Sequence, residues 1–489
     1  MSKIFILGGG WAGCSAALIA AKQGAQVTLA EKTDLLLGAG NAGGIMRNNG
    51  RFTAAEENIA LGAGEMFQIT DRYAVHRNVD FPGHEHASFY DITKVEPAVR
   101  RLLKDRGVEV RLCCRGIDVK WEPSGDGHES GRTVEKVPSE GGTRAEEIRK
   151  KVEGCRRITA VKIITSGPVS SDGQGCWEEA DVFVEATGSS GPMGNCMRYG
   201  NGCAMCVQRC PAFGPRVSLT ARAGAADLVA CRESGRPGAL SGSCKLEKKS
   251  LSRKIQKKLS RDGYAVIPLP PELIQKGKLK EKVCQQYALD AFAENLILID
   301  TGEAKLMSPF FPLEKLRMVE GFEEVRFLDP CSGGQGNSVR YMSVGMREDT
   351  MRAADFQNLF LAGEKSGFFV GHTEAITTGS LAGYNAARFA AMHAGVPQTE
   401  TMHAGAPQTA ASAAAEKSGL LILPRNLAVG ELLAYAQEAL LEEDGLYRRF
   451  TFAGGEFFQH MKEKDLYRTD PKEIRKVVEA TGLLGIYEK

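Results

Sequence analysis

The stretch KIFILGGGWAGCSAALIAAKQGAQVTLAE, residues 3–31, decides the fold of this chain. Lys3–Leu7 has the apolar composition of a buried strand, Ala12–Gln23 is small, apolar and helix-forming, and Ala25–Ala30 is a second apolar run. Gly24 separates the helix from the second strand. The order strand, glycine-rich turn, helix, strand predicts a βαβ unit in an α/β fold, the architecture of dinucleotide-binding domains.

The turn after the first strand has the spacing Gly-x-Gly-x-x-Gly, at Gly8, Gly10 and Gly13. In such turns the first glycine makes the tight bend, the second lets a pyrophosphate approach the backbone, and the third lets the helix pack on the strand. The helix N-terminus then faces the phosphates. Glu31, at the end of the second strand, is placed to accept hydrogen bonds from both ribose hydroxyls. Because the motif begins at residue 3, we expect a flavoprotein that opens with its FAD-binding domain, although the motif by itself also fits NAD.

A second unit of the same kind is NLFLAGEKSGFFVGHTEAITTGSLAGYNAAR, residues 358–388. A strand at Leu359–Ala362 is followed by a glycine-bearing loop and by a helix that begins near His372. Glu364 is expected to hold a ribityl hydroxyl. The helix N-terminus would place N–H groups and a positive dipole end against the flavin edge where reduction builds negative charge. We therefore predict cofactor contacts at Gly363, Glu364, Gly371, His372, Thr373 and Glu374.

Residues 358–388 resemble the FAD motif of the family of glucose-inhibited division protein A (GidA) and TrmFO, whose members are flavoproteins that modify RNA using folate. His372 stands where that family has Tyr. LGAGNAGGI, residues 37–45, resembles another segment of GidA, and residues 180–188, ADVFVEATG, resemble the strand-plus-Ala-Thr-Gly element of two-dinucleotide-binding flavoproteins. The matches in the first motif are Glu374, Gly379, Ala382, Gly383, Asn385 and Arg388. The resemblance implies further FAD contacts at Asn41, Gly43, Gly44, Thr187 and Gly188.

The resemblance implies a glutathione-reductase-like FAD-binding Rossmann fold with a middle insertion domain and a C-terminal helical region. It covers about residues 1–60, 95–190 and 315–390, and residues 191–315 show no match to the folate or RNA elements of that family. A tandem duplication, MHAGVPQTE then MHAGAPQTA, indicates a flexible linker. The predicted divisions are an FAD-binding domain at 1–190 with a surface insertion at about 124–153, an insertion domain at 191–315, the rest of the FAD-binding domain at 316–391, a linker at 392–416 and a helical domain at 417–489.

The densest group of chemically active side chains is NGCAMCVQRCP, residues 201–211. Its spacing, Cys-x2-Cys-x3-Cys-Pro, resembles the end of a bacterial ferredoxin motif. Cys196 is the expected fourth ligand, with Cys231 and Cys244 as more remote alternatives. We predict a metal site, preferentially a [4Fe–4S] cluster, at Cys196, Cys203, Cys206 and Cys210.

Other interpretations of these cysteines stay open at the level of sequence. They are a structural zinc site, a redox dithiol at Cys203 and Cys206 that works against the flavin, and unrelated buried thiols. A flavin favours iron, because a cluster passes single electrons to a two-electron carrier. Cys203 and Cys206 are also the candidate catalytic residues.

Composition excludes some classes of function. The chain has 489 residues, 13 cysteines and a formal net charge of +2, so no global basic field argues for nucleic acid. No apolar run reaches the roughly 18 residues that a membrane helix needs, and residues 1–10 are too short for a secretion signal. We expect a cytoplasmic protein with reduced thiols and no membrane partner.

Three further groups of charged or titratable residues each allow more than one interpretation. The basic stretch at residues 243–262 would meet RNA or an acidic electron-transfer partner, or is a solvated helix face. His84-Glu85-His86 would line a substrate pocket or bind metal, but a surface loop is favoured. The third group would bind an anion or form simple salt bridges, and consists of Arg340, Arg347 and Arg352.

The sequence thus predicts an FAD-dependent oxidoreductase that relays electrons between an iron–sulfur cluster and FAD, with a redox protein or a small molecule as partner. One alternative is a folate- and FAD-dependent RNA-modifying enzyme with Cys206 or a neighbour as nucleophile. Another is a non-catalytic, flavin-bearing binding protein. The substrate and the oligomeric state have no signature in the sequence.

Overall fold

The computed structural model describes residues 1–123, 155–165, 175–190, 216–240, 244–279, 285–307, 311–328, 339–394 and 419–488. The strands in these ranges are β1 (Lys3–Leu7), β2 (Gln26–Ala30), β3 (Ile45–Met46), β4 (Ala74–Phe81), β5 (His84–Tyr90), β6 (Glu109–Arg111), β7 (Cys114–Pro123), β8 (Arg156–Thr165), β9 (Cys176–Glu179), β10 (Val182–Glu185), β11 (Asp227–Val229), β12 (Ala239–Leu240), β13 (Cys244–Leu246), β14 (Tyr264–Pro268), β15 (Asn295–Asp300), β16 (Ala304–Leu306), β17 (Val339–Arg340), β18 (Ser343–Gly345) and β19 (Leu359–Leu361). The α-helices are α1 (Trp11–Lys22), α2 (Gly50–Leu61), α3 (Glu65–Arg72), α4 (Ile92–Asp105), α5 (Leu219–Arg222), α6 (Arg253–Asp262), α7 (Asp290–Glu294), α8 (Leu313–Leu316), α9 (His372–His393), α10 (Ala428–Leu440), α11 (Gly455–Glu463) and α12 (Pro471–Ala480).

A parallel sheet of five strands, in the order β19-β10-β1-β2-β6, forms the centre of the molecule. Side chains of a strand alternate between its two faces. In β1, Ile4 and Ile6 therefore join the core shared with α1 and α9. Phe5 and Leu7 join the core under the antiparallel layer β7-β8-β9. The result is a three-layer arrangement, and the predicted α/β class with an FAD-binding Rossmann fold is confirmed.

Helices α1 and α9 lie side by side on one face of this sheet. A Cβ on Gly379 would overlap the Ala12 carbonyl oxygen, and one on Gly383 would overlap that of Ala16. The contacts advance together along both helices, so the helices are parallel and their N-termini point to the same edge of the sheet. None of the described helices, α9 included, has the combination of length and apolar content that crossing a bilayer requires.

Two runs that have the composition of single strands, residues 107–114 and 178–185, are each divided between two sheets. The run 107–114 is divided, since β6 ends at Arg111 and β7 begins at Cys114, with Cys113 in the left-handed region at φ 53°. The run 178–185 is divided between β9 of the antiparallel layer and β10 of the parallel sheet. An apolar run shows that a segment is buried, but it does not show where the chain changes sheet.

The middle of the chain builds a second antiparallel sheet, β13-β16-β15-β14, over its own apolar core. The hairpin of β4 and β5 packs on the other side of this sheet, where Phe81 and Phe89 meet Phe292 and Ile297. The hairpin therefore lies with the middle sheet, although its residues come from the predicted first part of the FAD-binding domain. Domain boundaries at 190, 315, 391 and 416 stay predictions. The predicted surface insertion at about 124–153 and most of the linker at 392–416 lie outside the described residues.

The basic stretch at residues 243–262 contains helix α6. Its Ile255 and Leu259 are buried, while Lys254, Lys257 and Lys258 are exposed. The helix is amphipathic, and the charges lie on its solvated face.

The C-terminal helices α10 to α12 pack into the same core as α1 and α9. Phe450, Phe452 and Phe457 are each at most 1% exposed. The Thr53 hydroxyl of α2 also donates to the Arg468 carbonyl, at 2.7 Å. The helical region predicted at the end of the chain is therefore present and contributes to the core around the cofactor-binding unit.

Candidate functional site

The glycine-rich turn has the geometry that its spacing predicts. Gly8 has φ +107°, and a Cβ there would overlap the carbonyl oxygen of Ala186, at the end of β10. A Cβ on Gly13 would overlap the Gly8 carbonyl oxygen, so the helix packs directly on the turn. A Cβ on Gly10 would meet no atom within 4 Å. The backbone at Gly10 thus faces open space at the N-terminus of α1, as a pyrophosphate site requires.

Glu31 lies at the end of β2 and is 6% exposed. Its Oε2 accepts from the Gly9 N–H at 2.7 Å, and its Oε1 accepts from the N–H and hydroxyl of Thr33 at 2.9 and 3.0 Å. The carboxylate therefore holds the glycine turn in shape. A ribose contact through its remaining lone pairs stays a prediction.

The Ala-Thr-Gly element lies beside the same turn. The Thr187 hydroxyl donates to Glu185 at 3.1 Å, and Gly188 has φ +64° with no atom within 4 Å of a Cβ position. Thr187 and Gly188 are thus placed at the C-terminal edge of the parallel sheet, where ligands bind in open α/β sheets.

Gly363 and Glu364 come directly after β19 and face α1. Gly363 has φ +65°, and a Cβ there would lie 2.9 Å from that of Ala12. Glu364 Oε1 accepts from Arg340 Nη1 at 2.9 Å, whereas Oε2 is buried and finds no hydrogen-bond donor in the described part of the chain. A buried carboxylate oxygen without a donor fits a ligand hydroxyl, because leaving it unpaired costs free energy.

Glu374 is held by a buried ion pair and two further hydrogen bonds. It is fully buried, and its carboxylate accepts from Arg51 Nε at 3.1 and 3.2 Å, from the Thr451 hydroxyl at 2.7 Å and from the Phe452 N–H at 2.9 Å. A Cβ on Gly371, which has φ +145°, would overlap this ion pair. Glu374 therefore fastens the first turn of α9 to α2 and to the C-terminal region, and its cofactor contact stays a prediction.

His372 opens α9 and packs on the segment of residues 37–45. A Cβ on Gly43 would overlap its ring, which also lies 5.1 Å from the Trp11 ring. Burial, with the nearby charges of Arg51 and Lys305, lowers the pKa of His372 to about 3. The imidazole is therefore neutral near pH 7, and its Nδ1 lies 3.3 Å from the Ile45 carbonyl oxygen.

The other residues of this segment lie between α9 and the middle sheet. Asn41 is part of a 3₁₀ turn, Gly38–Ala42. Gly44 has φ +80°, and a Cβ there would lie 2.5 Å from Thr301 Cγ2. Lys305 Nζ donates to the Gly43 carbonyl, so the middle sheet holds this segment in place.

Sequence reasoning missed several residues of this region. Arg51 and Lys305 have no motif around them, and their contacts join distant parts of the chain. Trp11 did offer a signal, since it is a large aromatic inside the glycine motif, directly after Gly10. Among the described residues, the indole nitrogen of Trp11 and the hydroxyl of Tyr90 are buried without a hydrogen-bond partner.

The three arginines Arg340, Arg347 and Arg352 have different partners in the structure and do not form one anion site. Arg347 is buried and donates to the carbonyls of Ser366 and Leu433, which is a structural role. Arg352 pairs with Glu348 at 3.0 Å. Only Arg340 reaches the candidate cofactor site, through Glu364.

The predicted metal ligands Cys196, Cys203, Cys206 and Cys210 lie outside the described residues. Within the ranges that the structure describes, no group of three or more His, Cys, Asp or Glu side chains could hold a metal ion. The surface-loop interpretation of His84 was wrong, because His84 is 2% exposed and stacks on Phe81 with ring centroids 4.6 Å apart.

Comparison with known proteins is consistent with this geometry. The model of the family "Glucose inhibited division protein A" matches residues 3–113 and 309–394, about two fifths of the chain. The structure of Aquifex aeolicus GidA in its form II crystal aligns with 100% of this chain and 74% of its own, at 15% identity and a TM-score of 0.57. The form I crystal of the same protein aligns with 98% of this chain and 78% of its own, at 14% identity and a TM-score of 0.52. No curated protein sequence matches.

The glycine turn, the two parallel helix N-termini and the unpaired Glu364 oxygen fit a dinucleotide cofactor. Fold and site together define the class, a protein with the FAD-binding Rossmann-type fold of flavoproteins. In its FAD-binding parts the chain is GidA-like.

Two buried histidines make the stability of this region sensitive to acid. Burial lowers the pKa of His84, like that of His372, to about 3. Because the unfolded chain takes up these protons at about pH 6.5, it binds more protons than the folded chain between about pH 3 and 6.5. Each histidine should therefore lower the free energy of unfolding by about 2 kcal/mol when the pH falls from 7 to 5.

Other groups titrate in the same range, including Glu57, whose pKa burial raises to about 7. The prediction therefore concerns the difference between a histidine variant and the native protein in the stability that each loses on acidification. Urea unfolding at pH 7 and pH 5 should show an acid-induced loss about 2 kcal/mol smaller in His84→Phe than in the native protein. His86→Asn, two residues further along β5, is the matched control for loss of an imidazole. An equal acid-induced loss in His84→Phe and the native protein would contradict the assignment.

Proposed function

We propose that this protein is a cytoplasmic, FAD-dependent oxidoreductase that relays electrons between an iron–sulfur cluster and FAD, and from there to a small molecule or a redox protein partner. When bound, FAD supplies the chemistry that converts between one-electron and two-electron transfer. The proposal rests on the cysteine spacing of residues 196–210 together with one observation on the residues that flank them.

That observation is the anchoring of both flanks beside the candidate FAD site. Ser190 and Tyr341 exchange two backbone hydrogen bonds, at 3.0 and 2.8 Å. Arg216 donates to the hydroxyl and the carbonyl of Ser343, at 2.5 and 3.3 Å. Ser190 and Arg216 thus contact two residues, Tyr341 and Ser343, that are only two positions apart and that follow Arg340, the partner of Glu364.

A buried ion-pair network reinforces the second anchor. Lys365, which is 0% exposed, donates to the Ser218 hydroxyl at 2.9 Å and also to Asp227. Lys365 lies 3.8 Å from Glu185, at the end of β10. The residue that follows Glu364 is therefore fixed to the segment that follows the cysteine motif, which supports a cluster positioned close to the flavin.

The test is anaerobic purification followed by iron and sulfide analysis and by absorption spectra before and after dithionite. We expect flavin bands together with about four irons per chain. Cys203→Ser and Cys206→Ser should lose iron and keep FAD, while Cys176→Ser, at an exposed position of β9, should keep both. A native protein that carries FAD but no iron would contradict the relay.

The second candidate is a folate- and FAD-dependent RNA-modifying activity, favoured by the likeness to GidA. It predicts retention of tRNA at low salt and reduction of the bound flavin by methylenetetrahydrofolate. An iron-free flavoprotein with both properties would replace the relay by this activity.

A further inference from the structure

Two buried arginines, one paired with Glu364 and the other within its electrostatic influence, have more hydrogen-bond donors than the described protein atoms accept. Arg340 and Arg449 are 4% and 6% exposed. Arg340 Nη1 donates to Glu364 at 2.9 Å, but its Nε and Nη2 have no hydrogen-bond partner among the described residues. Arg449 donates to the carbonyls of Cys231 and Leu446, each at 2.9 Å, and to that of Arg448 at 2.6 Å, while its Nε has no partner in the same part of the chain.

The elements that carry these arginines converge on the loop between β19 and α9. Arg340 lies on β17, which pairs with β12. The Phe450 N–H donates to the Phe368 carbonyl at 3.0 Å, and the Val370 N–H donates to the Phe450 carbonyl at 2.9 Å. Arg449 Cζ therefore lies over the Phe368 ring, 4.9 Å from its centroid. The C-terminal segment thus brings a second guanidinium to the loop that contains Glu364.

The two guanidinium groups of Arg340 and Arg449 and the single carboxylate of Glu364 together carry an excess positive charge. Burial first, and then the charge of Arg340, lower the pKa of Arg449 to about 10, so it is still a cation at pH 7. A buried charge without a counter-ion is costly, and so are buried N–H groups without acceptors. A guanidinium presents its N–H groups in a planar fork that matches carboxylate and phosphate oxygens.

The geometry points to an oxyanion site formed by Arg340 and Arg449 beside Glu364. Its ligand class is a phosphate or a carboxylate group. Such a group has two sources here, the pyrophosphate of the dinucleotide itself or a separate anionic substrate. Arg449 lies outside both segments that match the family, so this site combines a residue of the matched part with one of the C-terminal region.

Arg340→Met and Arg449→Met test the site in the FAD-loaded protein. Arg448→Gln is the matched control, since Arg448 precedes Arg449 and pairs with Glu456 and Glu442 on the surface. Two quantities are measured, the dissociation constant of FAD by flavin fluorescence, and the binding of inorganic pyrophosphate and of succinate to the FAD-loaded protein by calorimetry. Circular dichroism confirms folding. If a methionine variant fails to fold, the lysine variant at the same position, Arg340→Lys or Arg449→Lys, replaces it, because lysine keeps the charge but loses the planar fork.

If the cofactor supplies the anion, each variant raises the FAD dissociation constant by about tenfold, equal to about 1.4 kcal/mol, and Arg448→Gln does not. If a separate ligand supplies it, the FAD dissociation constant stays unchanged, and pyrophosphate or succinate binds the native protein and the control about tenfold more tightly than the variants. Unchanged FAD affinity with no anion binding to the native protein overturns the site. A native protein that binds no FAD would instead contradict the proposed function.

Discussion

Arg51→Met should lower the free energy of unfolding by about 3–5 kcal/mol, because it leaves the Glu374 carboxylate buried without its cation. The pair joins α2 to the first turn of α9, and both side chains are almost completely buried, at 3% and 0% exposed. The Thr451 hydroxyl and the Phe452 N–H would still donate to Glu374. Two neutral donors compensate a buried charge less well than a guanidinium does.

Urea unfolding at pH 7 measures this loss. Arg261→Met is the matched control, since Arg261 also pairs with a carboxylate but is 77% exposed, and an exposed ion pair of that kind contributes little to stability. The double variant Arg51→Met, Glu374→Gln should recover part of the stability, because neither buried charge is then left alone. A loss in Arg51→Met no larger than that of the control would contradict a buried, charged pair.

The pair of Arg51 and Glu374 also gives Glu374 a structural role that the sequence did not predict. Glu374 matches the flavoprotein motif, and its position in the first turn of α9 favours a cofactor contact. Its partner Arg51 is 323 positions away along the chain, and the C-terminal donors Thr451 and Phe452 come from a region without a recognised motif. No local pattern encodes contacts of that kind.

What the sequence predicted well was local. The β1–α1–β2 unit lies within one residue of its predicted limits, because glycine spacing and apolar runs act on neighbouring residues. The roles of Gly8, Gly10 and Gly13 follow from the turn that they build. Contacts between distant segments, such as Arg449 with the loop after β19, had no signal that a single sequence could carry.

Loss of FAD without loss of the fold is the result expected for Gly10→Val. Gly10 has φ −68° and ψ 179°, a conformation open to any residue, and no atom lies within 4 Å of a Cβ there. The new Cβ therefore meets no protein atom, and the valine side chain occupies the space that a pyrophosphate needs next to the backbone. We expect the FAD dissociation constant to rise by about a hundredfold, equal to about 2.7 kcal/mol, with an unchanged thermal midpoint of the apoprotein.

Gly13→Ala is the informative contrast, since its Cβ would overlap the Gly8 carbonyl oxygen. Overpacking of that kind typically costs about 1–3 kcal/mol, so this variant should lose stability even in the absence of FAD. Thermal unfolding of both apoproteins, together with flavin fluorescence titrations, separates the two effects. If Gly10→Val bound FAD as tightly as the native protein, the open face of the turn would not be the cofactor site, and the cofactor would have to lie elsewhere along the edge of the sheet.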